Sequence, residues 1–350
     1  MKYLFLSVAA IISFHALGSC SKDSGGDAPA EMPPKNIVIN AVVSSDGSGK
    51  VDFTTTAENA ASYTYEFGNG ATEVSPSGVT TYFYTTTGTI NYTVKVTAKA
   101  SNGLTASATK AITVTKTSAY TNLVWSDEFN TAGAPDGTKW GYDIGTGSNG
   151  WGNQELQYYT NRPENVICEG GALKIKAIKE AYQGSAYTSA RLLTKGKYEF
   201  RYGRVEIRAK VPAAVGTWPA AWTLGADINT VGWPACGEAD ILEHRGSDLN
   251  KIVAALHYPG RSGGNADVGT TTIQNATTEF HIYSFEWTAS TLQFFVDGRL
   301  FHSAVSTGTM PYQKNHFLLL NLAIGGSFGG AVDPAFTTAT YEVDYVRVYN

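Results

Sequence analysis

Residues 237–244 read "GEADILEH" and place Glu238, Asp240 and Glu243 within six positions. The residues between the acids, Ala239, Ile241 and Leu242, are apolar and favour a strand. Side chains of a strand alternate between its two faces. Glu238 and Asp240 therefore share one face, while Glu243, an odd number of positions on, points to the other. In a regular strand it would enter the core as an unpaired charge, at a cost on the order of several kcal/mol. One extra residue near Ile241 and Leu242, forming a β-bulge, lets two residues oppose one and returns Glu243 to the face of the other two acids. The stretch predicts a bulged strand whose polar face lines a cleft and whose Ala239 faces the core. The competing reading is an edge strand with solvated acids on both faces.

The residue types narrow the chemistry. Near these carboxylates the sequence has no Ser-His-Asp order, phosphate-binding loop or metal-binding histidine pair, which leaves acid/base hydrolysis or a cation site. A calcium loop needs flexible oxygen ligands and usually glycine within the run, so the apolar "ADIL" favours hydrolysis. Crowded carboxylates oppose one another's ionisation, and at least one should keep its proton near neutral pH, as a general acid requires. A pair about 5 Å apart suits retaining glycoside hydrolysis, with one acid as nucleophile and the other as acid and then base.

Neighbouring segments suit a sugar. In "GTWPAAWTLG", Trp218 and Trp222 are four positions apart and share a strand face, where flat rings can floor a groove for glycan C–H faces. "GWGNQELQYYT" offers Trp151, Asn153, Glu155 and Tyr158, or else a packed loop. His257 is either a substrate hydrogen-bonder or a structural residue, and His244 reads as structural. Glu206 and Arg208 share one face of a strand opposite Val205, Ile207 and Ala209, as in a solvated ion-pair ladder.

The whole chain supports an all-β protein. Among its 350 residues are 37 Gly, 20 Tyr, 15 Phe and 7 Trp, charged residues make up 16%, and no long stretch keeps a helical apolar period. Two folded units are the natural expectation at this length. With 26 basic and 30 acidic residues the net charge is -4, which gives no case for nucleic acid or an anionic surface and points to an uncharged partner.

The chain opens "MKYLFLSVAAIISFHALGSC", a short apolar run ending in small residues. Its "LGSC" resembles a bacterial lipoprotein box, which implies a signal over residues 1–19, lipid on Cys20 and membrane anchoring without a transmembrane helix. The alternative is a plain secretory signal. Residues 20–35 are polar, Gly- and Pro-containing, and read as a flexible tether whose early Lys and Asp resemble surface-export signals. Cys168 and Cys236 allow at most one disulfide and no zinc spacing, and two buried thiols are expected.

Residues 36–116 alternate in short strands, with "GNG" at Gly68–Gly70 suited to a tight hairpin. "YEFGNGATE" and "TTYFYTTTGTINYTVKVTAKASNG" resemble the PKD type of immunoglobulin-like β-sandwich, with Asn69 where that family usually has Asp; a spacer or weak binding role is expected. A second unit, residues 118–350, runs as strands and Gly-rich loops, with 225–237 and 258–278 expected to be surface loops.

This second unit resembles glycoside hydrolase family 16, on its laminarinase branch. The resemblance rests on "GWGNQELQYYT", "YTSARLLT", "YGRVEIRAKVP", "GTWPAAWTLG", "GWPACGEADILEH", "HIYSFEW" and "VDYVRVY", which occur in order. It implies a concanavalin A-like β-jelly-roll with an open concave cleft. The family's E-x-D-x-x-E pattern falls on Glu238 as nucleophile, Asp240 as assisting acid and Glu243 as acid/base. Cleft positions fall on Trp218, Trp222, Asn153, Arg191 and His257. Catalysis is expected to need no cofactor, and a structural Ca²⁺ is implied at Glu128, Gly171 and Asp344. Ala239 departs from the larger aliphatic usual after the nucleophile, which implies altered packing only. Unbulged lichenases space the two Glu residues evenly, so the odd spacing here implies the laminarinase-like branch.

The expected function is therefore an endo-acting, retaining β-1,3-glucanase on laminarin-like glucan. A mixed-linkage β-1,3/1,4-glucanase is the alternative within the family, and a non-catalytic surface glycan-binding lipoprotein is the alternative outside it. A monomer is expected, lipid-anchored in a bacterial outer membrane and exposed at the cell surface.

Overall fold

A computed structural model describes residues 32–350, and Cys20 with its signal lies outside them. The chain builds two β-sandwiches in succession. In the first, Lys35–Val43, Lys50–Glu58 and Val79–Phe83 form one sheet, and Thr72–Ser75, Ser62–Glu66, Gly88–Lys99 and Thr105–Lys116 form the other. Alternation produces its core: Val51 and Phe53 face Tyr65, Val94 and Val96, all fully buried. The "GNG" turn has Gly68 and Gly70 at φ of 80° and 88°, where a side chain would be strained. Asn69 does two jobs there, accepting from the Ala71 N–H and donating to the Tyr82 hydroxyl. The strand Thr72–Ser75 was not anticipated, because only Ser75 of its four residues is buried and no apolar alternation marks it.

Asn122 and the C-terminal Asn350 exchange backbone hydrogen bonds at the entry to the second sandwich. One sheet there has ten strands, among them Ala172–Tyr182, Gly203–Lys210, His281–Trp287 and Thr338–Tyr349. The facing sheet has seven, in the order Asp267–Thr272, Lys251–His257, Glu238–His244, Thr217–Gly225, His316–Ile324, Arg191–Leu193 and Gly141–Tyr142. Its pairings are all antiparallel.

Inward-facing residues of both sheets interleave as one core. Val205, Ile207, Ala209 and Tyr283 meet Ala239, Ile241, Leu242 and Leu256, each with no exposed surface. The outer face of Gly203–Lys210 carries the expected ladder: Arg204 pairs with Glu206 and Glu286, Arg208 with Asp344, and Lys210 with Glu342. Cys168 and Cys236 are buried free thiols.

One expectation needs correcting. The segment 258–278 contains the strand Asp267–Thr272, which forms an edge of the seven-stranded sheet. An edge strand with Val268 half exposed carries no apolar run, so its sequence resembles a loop. The segment 225–237 holds one helical turn, Ile228–Val231, and a cis bond between Trp233 and Pro234.

Candidate active site

The strand Glu238–His244 carries the bulge its parity demands. Toward Thr217–Gly225 the pairs are Glu238 with Leu224, Asp240 with Trp222, then Leu242 with Ala221 and Glu243 with Ala220; Ile241 has no counterpart. Toward Lys251–His257 the register shifts over the same residues, pairing Glu238 with His257, Asp240 with Ala255 and Glu243 with Val253. Ile241 and Leu242 both enter the core, and Glu243 returns to the face of Glu238 and Asp240. The residues opposite Asp240 and Glu243 include Ala220, Ala255 and Val253, whose small side chains keep the floor low. Above it lies a cleft of about 740 Å³. Glu238, Asp240, Glu243, Trp218, Trp222, Trp151, Asn153, Arg191 and His257 all line it, whereas Glu155 and Tyr158 of the "GWGNQELQYYT" segment do not.

Each acid has its own environment. Glu243 Oε1 accepts from Trp218 Nε1 at 2.9 Å, and Glu238 Oε2 accepts from Trp233 Nε1 at 3.1 Å. His257 Nε2 stands 3.2 Å from Asp240 Oδ2 and 3.7 Å from Glu238 Oε1. The shorter contact is close but poorly aligned, which leaves the buried Asp240 Oδ2 without a formed hydrogen bond. The Gly263 N–H donates to His257 Nδ1 at 3.1 Å, so in the neutral ring the proton sits on Nε2, on the side of the acids.

That tautomer bears on metal binding. Ligand atoms of Glu238, Asp240 and His257 lie within 4.8 Å of one another. A cation would need the Nε2 lone pair and a proton on Nδ1, where the Gly263 N–H already points. The ring therefore turns an N–H, and not a lone pair, toward Glu238 and Asp240.

Burial dominates the electrostatics. It pushes the Glu238 carboxyl up to about 8, with repulsion from Asp240 adding to the shift and His257 opposing it. Burial also raises Asp240 and Glu243, and the Asp240 charge raises Glu243 further. All three carboxyls therefore hold their protons more tightly than free carboxyls do. Glu238, with an indole N–H on one oxygen and His257 beside the other, has the best support for a negative charge.

The cleft walls are aromatic. Arg191 lies between Trp151 and Trp222, its guanidinium 4.6 Å and 4.8 Å from their rings, and its Nε pairs with Asp143. Trp218 packs against Phe328 with ring centres 5.2 Å apart. The lining residues that were not anticipated include Trp233, Asn321 and Phe328. Trp233 stood in the "GWPACGE" motif itself, whereas nothing near Asn321 or Phe328 in sequence signals a site.

The implied calcium positions offer two carboxylates and the backbone carbonyl of Gly171. Glu128 is held bidentately by Arg347, and Asp344 is paired with Arg208. These carboxylates are already neutralised by separate arginines, so no step is assigned to a cation there.

A jelly-roll sandwich with a carboxylate cluster on the floor of an aromatic cleft defines a glycan hydrolase. The family model "Glycosyl hydrolases family 16" matches residues 152–347, and "PKD domain" matches residues 39–113. The chain is 44% identical over 244 residues to the beta-glucanase of Rhodothermus marinus, covering 65% of this chain and 84% of that protein. Among solved structures, LamA of Z. galactanivorans in complex with laminaritriose and laminaritetraose shows 44% identity, a TM-score of 0.61 and coverage of 66% of this chain and 100% of that one. SCLam, a non-specific endo-β-1,3(4)-glucanase, shows 41% identity, a TM-score of 0.63 and coverage of 67% and 95%. The chain belongs to glycosyl hydrolase family 16 and carries a PKD domain ahead of the hydrolase sandwich.

Proposed function

We propose that the protein is a retaining, endo-acting β-1,3-glucanase. The observation that carries this reading is the bulge, which brings Glu238, Asp240 and Glu243 onto the floor of one open cleft. Glu238 attacks the anomeric carbon while Glu243 protonates the departing glycosidic oxygen. Water, deprotonated by Glu243, then releases the sugar from Glu238. Asp240 stands beside the nucleophile and tunes its ionisation, and His257 Nε2–H steadies the charge that Glu238 carries before attack. The laminarin-oligosaccharide complex of one relative supports a β-1,3-glucan substrate.

Mixed-linkage cleavage is the second reading, favoured by the likeness to a non-specific endo-β-1,3(4)-glucanase. Intact acids weigh against a purely glycan-binding role. The test is reducing-sugar release from laminarin, barley β-glucan and agarose. The leading reading expects laminarin to be cut fastest, and Glu238→Ser to lower that rate by at least roughly 10³-fold. Barley β-glucan cut faster than laminarin would favour the second reading, and no release from either glucan would favour a binder.

The same proposal includes lipid on Cys20, an outer-membrane surface location and a monomeric state. Its support is the "LGSC" ending and the tether that follows it. Cys20→Ala is expected to move the enzyme from the membrane fraction to the soluble one; a variant that stays with membranes would count against the anchor.

A further inference from the structure

Behind the cleft wall runs a chain of hydrogen bonds whose direction is fixed at each link. Trp222 Nε1 can only donate, and it does so to Asn321 Oδ1 at 2.8 Å. The Asn321 amide is thereby oriented, and its Nδ2 donates to the Tyr159 hydroxyl at 3.1 Å. Tyr159, fully buried, donates in turn to Glu155 Oε2 at 3.0 Å. Burial first, and then the Glu155 charge, hold the Tyr159 proton in place well beyond the ordinary phenol range.

Glu155 also accepts from Gln157 Nε2 at 2.7 Å and more distantly from Asn153 Nδ2 at 3.4 Å. The Gln157 amide is oriented because its Oε1 accepts from the Ile324 N–H. The relay thus starts at a ring on the cleft face and ends on a carboxylate that also holds the loop carrying Asn153. That loop needs support, since Asn149, Trp151 and Gln154 all have positive φ.

We propose that Tyr159 and Glu155 are positioning residues: without touching glycan, they hold Trp222 and the Asn153 loop at the spacing that grips the sugar chain. This inference rests on the β-glucanase reading above. Directed bonds ending on a charge reinforce one another, so removing one link loosens the others. The acids lie outside the relay, so it governs binding and leaves the proton chemistry alone.

The test is Tyr159→Phe in the full protein, which deletes one oxygen. The Michaelis constant for laminarin should rise roughly fivefold, the size of one net hydrogen bond, with kcat within about twofold and both limbs of the pH profile unmoved. In a ¹H–¹⁵N spectrum the indole signal of Trp222, assigned by its loss in Trp222→Phe, should shift although the hydrogen-bond link from Tyr159 to that ring runs through Asn321. Should Tyr159→Phe fail to fold, Glu155→Gln, which keeps the shape and removes the charge, should give the same pattern.

A folded variant with an unchanged Michaelis constant and an unmoved Trp222 signal would overturn the proposal, as would a fall in kcat alone. Wild-type protein that releases nothing from laminarin would instead refute the glucanase reading, and the Trp222 signal would still decide whether the relay operates.

Discussion

Asp240 sits between the proposed nucleophile Glu238 and the proposed acid/base Glu243, and its charge raises the proton affinity of both. Activity should follow a bell-shaped pH profile, since Glu238 must be ionised and Glu243 protonated. Removing the central charge with Asp240→Asn should move both limbs to lower pH, apart from any change in height. A pH–rate series on laminarin checks this, and limbs that stay in place would mean that Asp240 carries no charge in the free enzyme. The same acids cost stability. A carboxyl whose folded pKa is raised binds its proton more tightly in the native state, so its stabilising effect is full below the unfolded value and is lost as pH rises toward about 8. Glu243→Gln, permanently neutral, should therefore stabilise the protein by about 1–2 kcal/mol at pH 8–9. The gain should vanish near pH 4, as thermal melts at both pH values would show.

At the scale of the strand, five-residue spacing between Glu238 and Glu243 made the bulge legible before any coordinates, because alternation allows no other way to put both acids on one face. Deleting Ile241 would reduce that spacing to four, which a regular strand already satisfies. The deletion variant should fold, losing one core side chain at a cost of about 2–4 kcal/mol, and should keep laminarin cleavage within roughly 100-fold of wild type. A folded deletion variant as inactive as Glu238→Ser would show that the bulge supplies more than parity. Residues from distant elements were harder to read. Asn321 lies on the strand His316–Ile324, where every residue is buried, so its alternation carries no signal. Tyr159 and Glu155 stood inside a recognised motif, but their link to Trp222 exists only because the sheet order brings His316–Ile324 beside Thr217–Gly225. Trp233 reaches Glu238 around a turn containing a cis bond, which residue types alone do not announce.

Across the whole molecule, the two sandwiches have separate cores, and every residue lining the cleft lies between Trp151 and Phe328. The fragment 118–350 should therefore match the full protein on soluble laminarin, and any loss on insoluble glucan would assign a capture role to the PKD domain. Fold class was legible in composition and alternation because both faces of a sandwich impose period-two burial. The edge strand Asp267–Thr272 escaped because one side of it has no neighbour to bury. The central claim is that Glu238 and Glu243, aligned by the bulge, perform a double displacement. Time-resolved ¹H NMR of laminarin cleavage tests it most directly. The account predicts that the β-anomer of the new reducing end appears first, with the α-anomer following only at the rate of mutarotation; an α-anomer formed first would contradict it.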